Sequence, residues 1–302
     1  MNILVLGGTG LIGGHAALHL ASLGHRVTIA ARKPAAVAEG SPLAALPFLE
    51  IDYLADELPL EQLAAFDTLV FAAGNDIRHI PPGSDESAHW QRANVEGVPR
   101  FFARARDAGI RRAVLIGSFY PQARPELVEK ISYVRGRKLA DDGARALASE
   151  SFHVCSINAP FVIGSVPGLV VPGLAAHAAY ALGRIPQVPV FAMPGGVNFI
   201  STTSLSEAVA GALERGENGK AYLVGDENLS FADYFGEYFR AAGRSGQIAV
   251  IDREHPLLPD VILYAGRGGT IYYEPDAAET KLLGYRRGDV RRTLHEVVEQ
   301  YR

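Results

Sequence analysis

Cysteine is nearly absent from the chain: Cys155 is the only one in 302 residues. A single thiol excludes a disulfide framework within the chain. Cys155 lies in the apolar run Phe152-His-Val-Cys-Ser-Ile157 and reads as a small buried hydrophobe. No histidine and cysteine cluster has metal-ligand spacing, so no metal is expected. A surplus of charge is also lacking. With 29 Lys and Arg against 33 Asp and Glu, the net charge of −4 argues against a nucleic-acid or membrane-surface binder. Local basic runs such as Arg135-Gly-Arg-Lys138 and Arg286-Arg287 read as solvated helix ends or a phosphate contact. The longest apolar stretch, around 168–182, is interrupted by Pro172, Gly173 and His177, so no membrane span is expected. No basic segment followed by a long apolar run is visible, and the expected compartment is the cytosol.

What the chain does have is a glycine turn near its beginning, Asn2-Ile-Leu-Val-Leu-Gly7-Gly-Thr-Gly10-Leu-Ile-Gly13. Ile3 to Leu6 reads as a buried strand, and Gly14 to Leu23 as a helix with Ala17, Leu18, Leu20 and Ala21 on its apolar side. A strand, a turn with glycines three apart and a helix make the start of a dinucleotide-binding βαβ unit. Glycine lets the backbone turn tightly and lets a pyrophosphate approach. The helix N-terminus then offers N–H groups and the positive end of its dipole to that anion.

Strands and helices alternate from there. Strands are expected at 26–31, 48–51, 68–73, 112–118 and 152–157, with helices over about 86–108, kinked or restarted at Pro99, and 134–149. Alternation of this kind gives a parallel sheet with right-handed crossovers. The second strand ends in Ala30-Ala31-Arg32-Lys33 with no carboxylate. An acid there would meet the ribose 2′-hydroxyl of NAD, whereas the fork of Arg32 and the charge of Lys33 suit the 2′-phosphate of NADP. Asp52, after the third strand, is placed to meet an adenine edge or to close a turn. Ala72, Ala73 and Gly74 end the fourth strand with residues small enough for a cofactor to lie against the backbone.

From Ala159 the pattern changes to prolines and small apolar residues, with a helix-like segment at 174–182. This reads as a substrate-side lobe or lid. The expected architecture is therefore a Rossmann-type doubly wound parallel sheet over 1–160, with 196–225 returning to it. A smaller lobe is built from 161–195 and 226–302.

In this order the pieces resemble the short-chain dehydrogenase/reductase superfamily, and within it the extended branch called the NAD-dependent epimerase/dehydratase family. The resemblance covers essentially the whole chain: the Gly7–Gly13 turn, the strand ending at Arg32, Asp52, Ala72-Ala73-Gly74, Asn94-Val-Glu-Gly97, Asn158-Ala-Pro-Phe-Val-Ile-Gly164 and the tail Lys281-Leu-Leu-Gly284-Tyr285. It implies cofactor contacts from Gly7, Thr9, Gly10, Leu11, Ile12 and Gly13 in the turn, from Arg32, Lys33, Asp52, Ala72, Ala73 and Gly74 at the strand ends, and from Lys138, Pro160 and Val162.

The resemblance also implies a catalytic tyrosine, a lysine four residues later that lowers the phenol pKa and holds the nicotinamide ribose, and a hydroxyl from a serine or threonine. Residues four apart stack on one helix face. Here the segment is Ser132-Tyr-Val-Arg-Gly-Arg-Lys138, and the tyrosine stands five before the lysine. Either Tyr133 precedes the helix and swings back toward Lys138, or it pairs with Arg137, which supplies charge but exchanges no proton near neutral pH. The expected catalytic set is Tyr133, Lys138 and Ser118. Tyr120 is a second candidate acid, since Phe119 and Tyr120 occupy the positions where the family's hydroxyl usually falls. Asn158 stands where an arginine is common and Ser204 where an aspartate is, and both departures argue against sugar-nucleotide substrates. His79, His89 and Trp90 border the same region and read first as packing or surface residues.

The reading is an NADP-dependent oxidoreductase moving a hydride between the nicotinamide and a carbonyl or secondary alcohol of a fairly apolar small molecule, with NAD the less expected cofactor. An epimerase or dehydratase with transient cofactor reduction is one alternative, and a non-catalytic NADP sensor another. A homodimer through two helices is the family-level expectation.

Overall fold

The computed structural model describes residues 1–55 and 59–302. Its main sheet has seven parallel strands in the order β3-β2-β1-β4-β5-β6-β9: β1 Asn2–Leu6, β2 Arg26–Ala31, β3 Phe48–Glu50, β4 Thr68–Phe71, β5 Arg112–Ser118, β6 His153–Ala159 and β9 Ala221–Leu223. A second sheet is centred on β8 (Gly196–Ser201). It pairs antiparallel with β10 (Glu227–Ser230) and parallel with β7 (Phe161–Ile163) and β11 (Thr270–Ile271). The helices are α1 Leu11–Ser22, α2 Leu60–Ala64, α3 Glu86–Trp90, α4 Gly97–Asp107, α5 Tyr120–Ala123, α6 Ser132–Arg145, α7 Pro172–Ala181, α8 Thr202–Arg215, α9 Phe231–Ala241, α10 Ala277–Leu283 and α11 Val290–Gln300.

The central strands are buried on both faces, which is why they read as continuous apolar runs. On one face, Ile3, Val5, Val114 and Ile116 pack against α1 and α8. On the other, Leu4, Leu6, Leu69, Phe71 and Leu115 pack against Phe101 and Phe102 of α4 and Ala140 and Ala144 of α6. A third core joins α7, α9 and α11 to the second sheet and reaches back to Trp90, Tyr120 and Tyr133. The substrate side of the nucleotide-binding layer thus shares its packing with the lobe.

Two expectations change. Strand β8 does not return to the main sheet with the rest of 196–225. It lies at the centre of the small one, and α8 and β9 alone go back. The polar Asn198 on β8 serves the lobe, its amide donating to Asn228 and to the Tyr273 carbonyl. The long helix over 86–108 runs on without a break, passing through a π-helical turn at Gln91–Glu96 ahead of Pro99. Pro99 sits in the first turn of α4, where its missing N–H costs no helical hydrogen bond. No helix among the described residues is long and apolar enough to cross a membrane.

Candidate active site

Backbone contacts shape the glycine turn. Gly7 has φ +83°, and a Cβ there would stand 2.6 Å from the Ala72 carbonyl carbon and the Ala73 nitrogen. A Cβ on Gly13 would lie 2.3 Å from the Gly7 oxygen. These two glycines close the turn onto β4 and onto itself. Gly10 is different: its nearest neighbour would be the Gly7 oxygen at 3.6 Å, so its backbone is open. Gly10 is also the N-cap of α1, and no side chain caps that helix. Open backbone with uncapped N–H groups at a twelve-residue helix is the cradle a pyrophosphate fits. Thr9, Leu11 and Ile12 lie in the same turn and first helical residues.

At the end of β2, Arg32 and Lys33 are exposed. Asp52 is exposed and its carboxylate accepts the Leu54 N–H at 3.0 Å, closing a turn. Tyr53, beside it, was not singled out in the sequence. Its buried phenol donates to the Ala93 carbonyl at 3.1 Å, and burial pushes its pKa up to about 12, while the Asn75 amide and the Arg137 and Arg32 cations pull it down. Ala73, Gly74, Asn94, Gly117 and Arg137 wall a small cavity between β4, β5 and α6. Asn94 is buried on the π-helical turn, and its side-chain nitrogen has no hydrogen-bond partner among the described residues. An open glycine cradle packed onto the end of β4, and an orphaned donor in the cavity that Ala73 and Gly74 also line, fit a dinucleotide.

Helix α6 decides between the two placements of Tyr133. The helix starts at Ser132 with Ile131 as its N-cap, so Tyr133 is inside it and cannot swing toward Lys138. At ~100° per residue, Lys138 lies about 140° around the helix from Tyr133. Its ammonium pairs with Asp142 at 2.5 Å, half exposed to solvent. Arg137, four residues from Tyr133, turns inward instead: its guanidinium donates to the Ile116 carbonyl at 3.1 Å and reaches Gly74, where an added Cβ would be 3.0 Å from Nη1. Arg137 thus shares a helix face with Tyr133 at the i, i+4 spacing, and Lys138 lies on the outer face paired with Asp142.

The other expected residues separate. Ser118 ends β5 opposite Ala159; by strand alternation it shares the face of Val114 and Ile116, toward α1 and α8, not the α6 face. Tyr120 is buried, and its hydroxyl donates to the Ile262 carbonyl at 3.4 Å; burial raises its pKa well above the usual phenol value. It ties the start of α5 to the lobe segment that carries Ile262. Phe119 packs among Tyr120, Phe161 and Tyr273. Pro160 and Val162 follow β6 at the junction of the two sheets. Asn158 donates to Gln122 at 2.6 Å and to Asp141 at 3.2 Å, a buried network beneath the site. Ser204 lies in the first turn of α8, its N–H donating to the Ser201 hydroxyl at 2.9 Å. Trp90 donates to Glu86 at 2.9 Å and meets the Tyr133 ring edge to face at 5.2 Å.

The family model described as NAD dependent epimerase/dehydratase family matches residues 3–225. The chain belongs to that family. As a member of the NAD dependent epimerase/dehydratase family it is an NAD(P)-dependent enzyme of the short-chain dehydrogenase/reductase type. No curated protein matches the chain. Among solved structures, gox2253 is 20% identical with a TM-score of 0.75, over 99% of this chain and 97% of that one. A UDP-glucose-4-epimerase from Stenotrophomonas maltophila, with NAD and formylated UDP-arabinopyranose, is 17% identical with a TM-score of 0.73, over 100% and 98%. WbmG from Bordetella bronchiseptica, in complex with NAD and UDP, is 18% identical with a TM-score of 0.71, over 100% and 94%. At these identities the likeness is one of fold. Within the epimerase/dehydratase fold, the departures of this chain are local: an arginine on the tyrosine's helix face, and Phe119 and Tyr120 where a small hydroxyl side chain is expected.

Proposed function

We propose that the protein binds NADP and catalyses hydride transfer involving a carbonyl or secondary alcohol of a fairly apolar small molecule, with Tyr133 as proton donor or acceptor. The observation that carries this reading is the placement of Tyr133 and Arg137 one helical turn apart on α6, with Arg137 reaching the ends of β4 and β5 and Tyr133 facing the lobe. Arg137, in place of Lys138, holds the nicotinamide ribose. Gly10 and the first turn of α1 receive the pyrophosphate. Arg32 and Lys33 receive the 2′-phosphate, and the missing carboxylate at the end of β2 supports NADP over the NAD present in the structural neighbours. When bound, the nicotinamide supplies hydride exchange at its C4 position. The protein positions the substrate oxygen on Tyr133, moves one proton there, and keeps water out with the rings of Phe119, Phe161 and Tyr273.

A second reading is favoured by Arg137 itself. A guanidinium stays protonated, so it cannot pass a proton onward from Tyr133 to solvent. A reaction in which the substrate returns the proton it gave, as in an epimerase or dehydratase, needs no such passage. The discriminating experiment follows absorbance at 340 nm with NADPH and a panel of apolar ketones, with NADP+ and the corresponding alcohols, and with NADP+ and sugar nucleotides, substrate and product being assayed alongside. Net change that Tyr133→Phe abolishes supports the reductase. Turnover without net change supports the transient cycle, and turnover confined to sugar nucleotides contradicts the apolar substrate.

A further inference from the structure

The phenol of Tyr264, carried by the lobe segment 252–269, lies flat on the ring of Tyr133 with centroids 4.6 Å apart and an interplanar angle of 15°. Its edge meets Tyr120 at 5.2 Å and 82°. The lobe thus places an aromatic ring against the residue that must touch the substrate. We propose that this place is the substrate's own: the site takes an aryl alcohol or aryl ketone, whose flat ring replaces Tyr264 against Tyr133 when the tip of the segment lifts. The inference rests on the reading of Tyr133 as the proton-exchanging residue and adds the substrate class.

The segment is anchored most heavily at its root. Its root is fixed in the lobe: His255 is fully buried against Phe191 and Phe235, Leu258 is buried, and His177 bonds the Leu257 carbonyl at 2.8 Å. Its ends are drawn together by Arg267, which pairs with Asp252 at 3.5 Å and Asp260 at 3.2 Å. The tip is tied by the 3.4 Å bond from Tyr120 to the Ile262 carbonyl, by the buried Leu263 and by ring contacts, which an incoming ring must replace. Gly266 and Gly268, both at positive φ, follow the tip and turn the chain toward β11. Behind the tip lies a small cavity lined by Tyr120, Val197, Phe231, Leu263 and Ala265.

The chemistry around the ring agrees. A slot that accepts a phenol between aromatic neighbours accepts another flat ring in the same offset and edge-to-face contacts. Burial first, then the neighbouring phenols of Tyr133 and Tyr120, and last the carboxylates of Glu86 and Asp76 keep the Tyr264 phenol above its usual range, so the slot is dry and apolar. Where the family's small hydroxyl is expected, Phe119 extends the aromatic lining.

The test is hydrogen–deuterium exchange on the full chain with saturating NADP+, alone and with acetophenone, 1-phenylethanol or UDP-glucose as probes. NADP+ should protect the turn at 7–13, which reports on the underlying reading separately. Acetophenone and 1-phenylethanol should then increase exchange at 260–265, and UDP-glucose should leave it unchanged. Trp90, the single tryptophan and a neighbour of Tyr133, gives a fluorescence readout of the same binding. Tyr264→Ala should bind acetophenone about two- to tenfold more tightly, because no ring pair is broken on binding, and Tyr264→Phe should bind as the native chain does. Unchanged exchange at 260–265 with both aryl probes, opening by UDP-glucose, or unchanged or weaker acetophenone binding by Tyr264→Ala would each overturn the inference. Loss of protection at 7–13 would overturn the reading beneath it, and this inference with it.

Discussion

Tyr133 and Arg137 stand one helical turn apart on the inner face of α6, and the Arg137 guanidinium reaches the carbonyl of Ile116 at 3.1 Å. This pair is the geometric counterpart of a tyrosine and a basic residue four positions later. Lys138, one residue further, belongs to the outer face and to Asp142.

The phenol of Tyr133 carries the proton in this account. Tyr133→Phe keeps the ring between Trp90 and Tyr264 and removes the hydroxyl alone. Turnover should fall by about 10²–10⁴-fold, with NADP affinity within twofold of the native protein. Steady-state kinetics and NADPH fluorescence titration measure the two quantities. Equal turnover in both proteins would sink the role assigned to Tyr133.

The glycines of the turn should separate fold from ligand. A Cβ at position 13 collides with the Gly7 oxygen at 2.3 Å, so Gly13→Ala should lower the melting temperature of the free protein. A Cβ at position 10 has an ordinary 3.6 Å neighbour, so Gly10→Ala should melt like the native chain and lose cofactor binding. A native-like melt for Gly13→Ala, or native cofactor affinity for Gly10→Ala, would contradict the placement of the pyrophosphate.

Arg32 is exposed at the end of β2, and no carboxylate competes there for a ribose hydroxyl. Arg32→Ala should weaken NADP binding by about tenfold or more, the loss of a charge-assisted hydrogen bond worth ~1.5–3 kcal/mol, and leave NAD binding unchanged. Equal losses for the two cofactors would remove the basis for preferring NADP.

Acid should loosen the lobe. Burial lowers the pKa of His177 and of His255 from 6.5 to about 4; the field of His177 and Arg253 adds to the lowering at His255, and the bond to the Leu257 carbonyl opposes it at His177. Below pH 6.5 the unfolded chain takes up protons that the folded chain refuses, so stability is full above that pH and declines as pH falls toward 4. The difference amounts to about 3 kcal/mol for fully buried His177. Melting temperature measured from pH 7.5 to 4 should drop across that window, and the drop should shrink in His177→Gln. A flat profile would show that these imidazoles are reached by solvent.

Much of the fold was legible because its signals are local. The run Ile3–Leu6 and the glycines after it fix a strand, a turn and a helix within thirteen residues, and β2, β4, β5 and β6 announce themselves as apolar runs buried on both faces. The phase of α6 was not legible. Its N-cap is Ile131, with no side-chain cap to mark the start, so the sequence alone left Tyr133 on either side of the helix boundary. The Lys138–Asp142 ion pair at the i, i+4 spacing imitated a functional register. Tyr264 was invisible for another reason: it lies in a loop with no hydrophobic period, and its meaning comes from a contact with Tyr133 across 131 positions of chain, fixed only by tertiary packing. The π-helical turn that buries Asn94 was read as a proline kink because nothing in Gln91–Glu96 differs from ordinary helix composition.

The most direct measurement is an NADPH titration of two variants, Arg137→Met and Lys138→Met, each of which keeps the side chain's length and removes its charge. Arg137→Met should bind NADPH about ten- to hundredfold more weakly, and Lys138→Met should bind it as the native chain does, losing at most a surface ion pair worth ~0–1 kcal/mol. The reverse pattern, native affinity with Arg137→Met and a large loss with Lys138→Met, would contradict the assignment of the α6 inner face to the nicotinamide end of the cofactor.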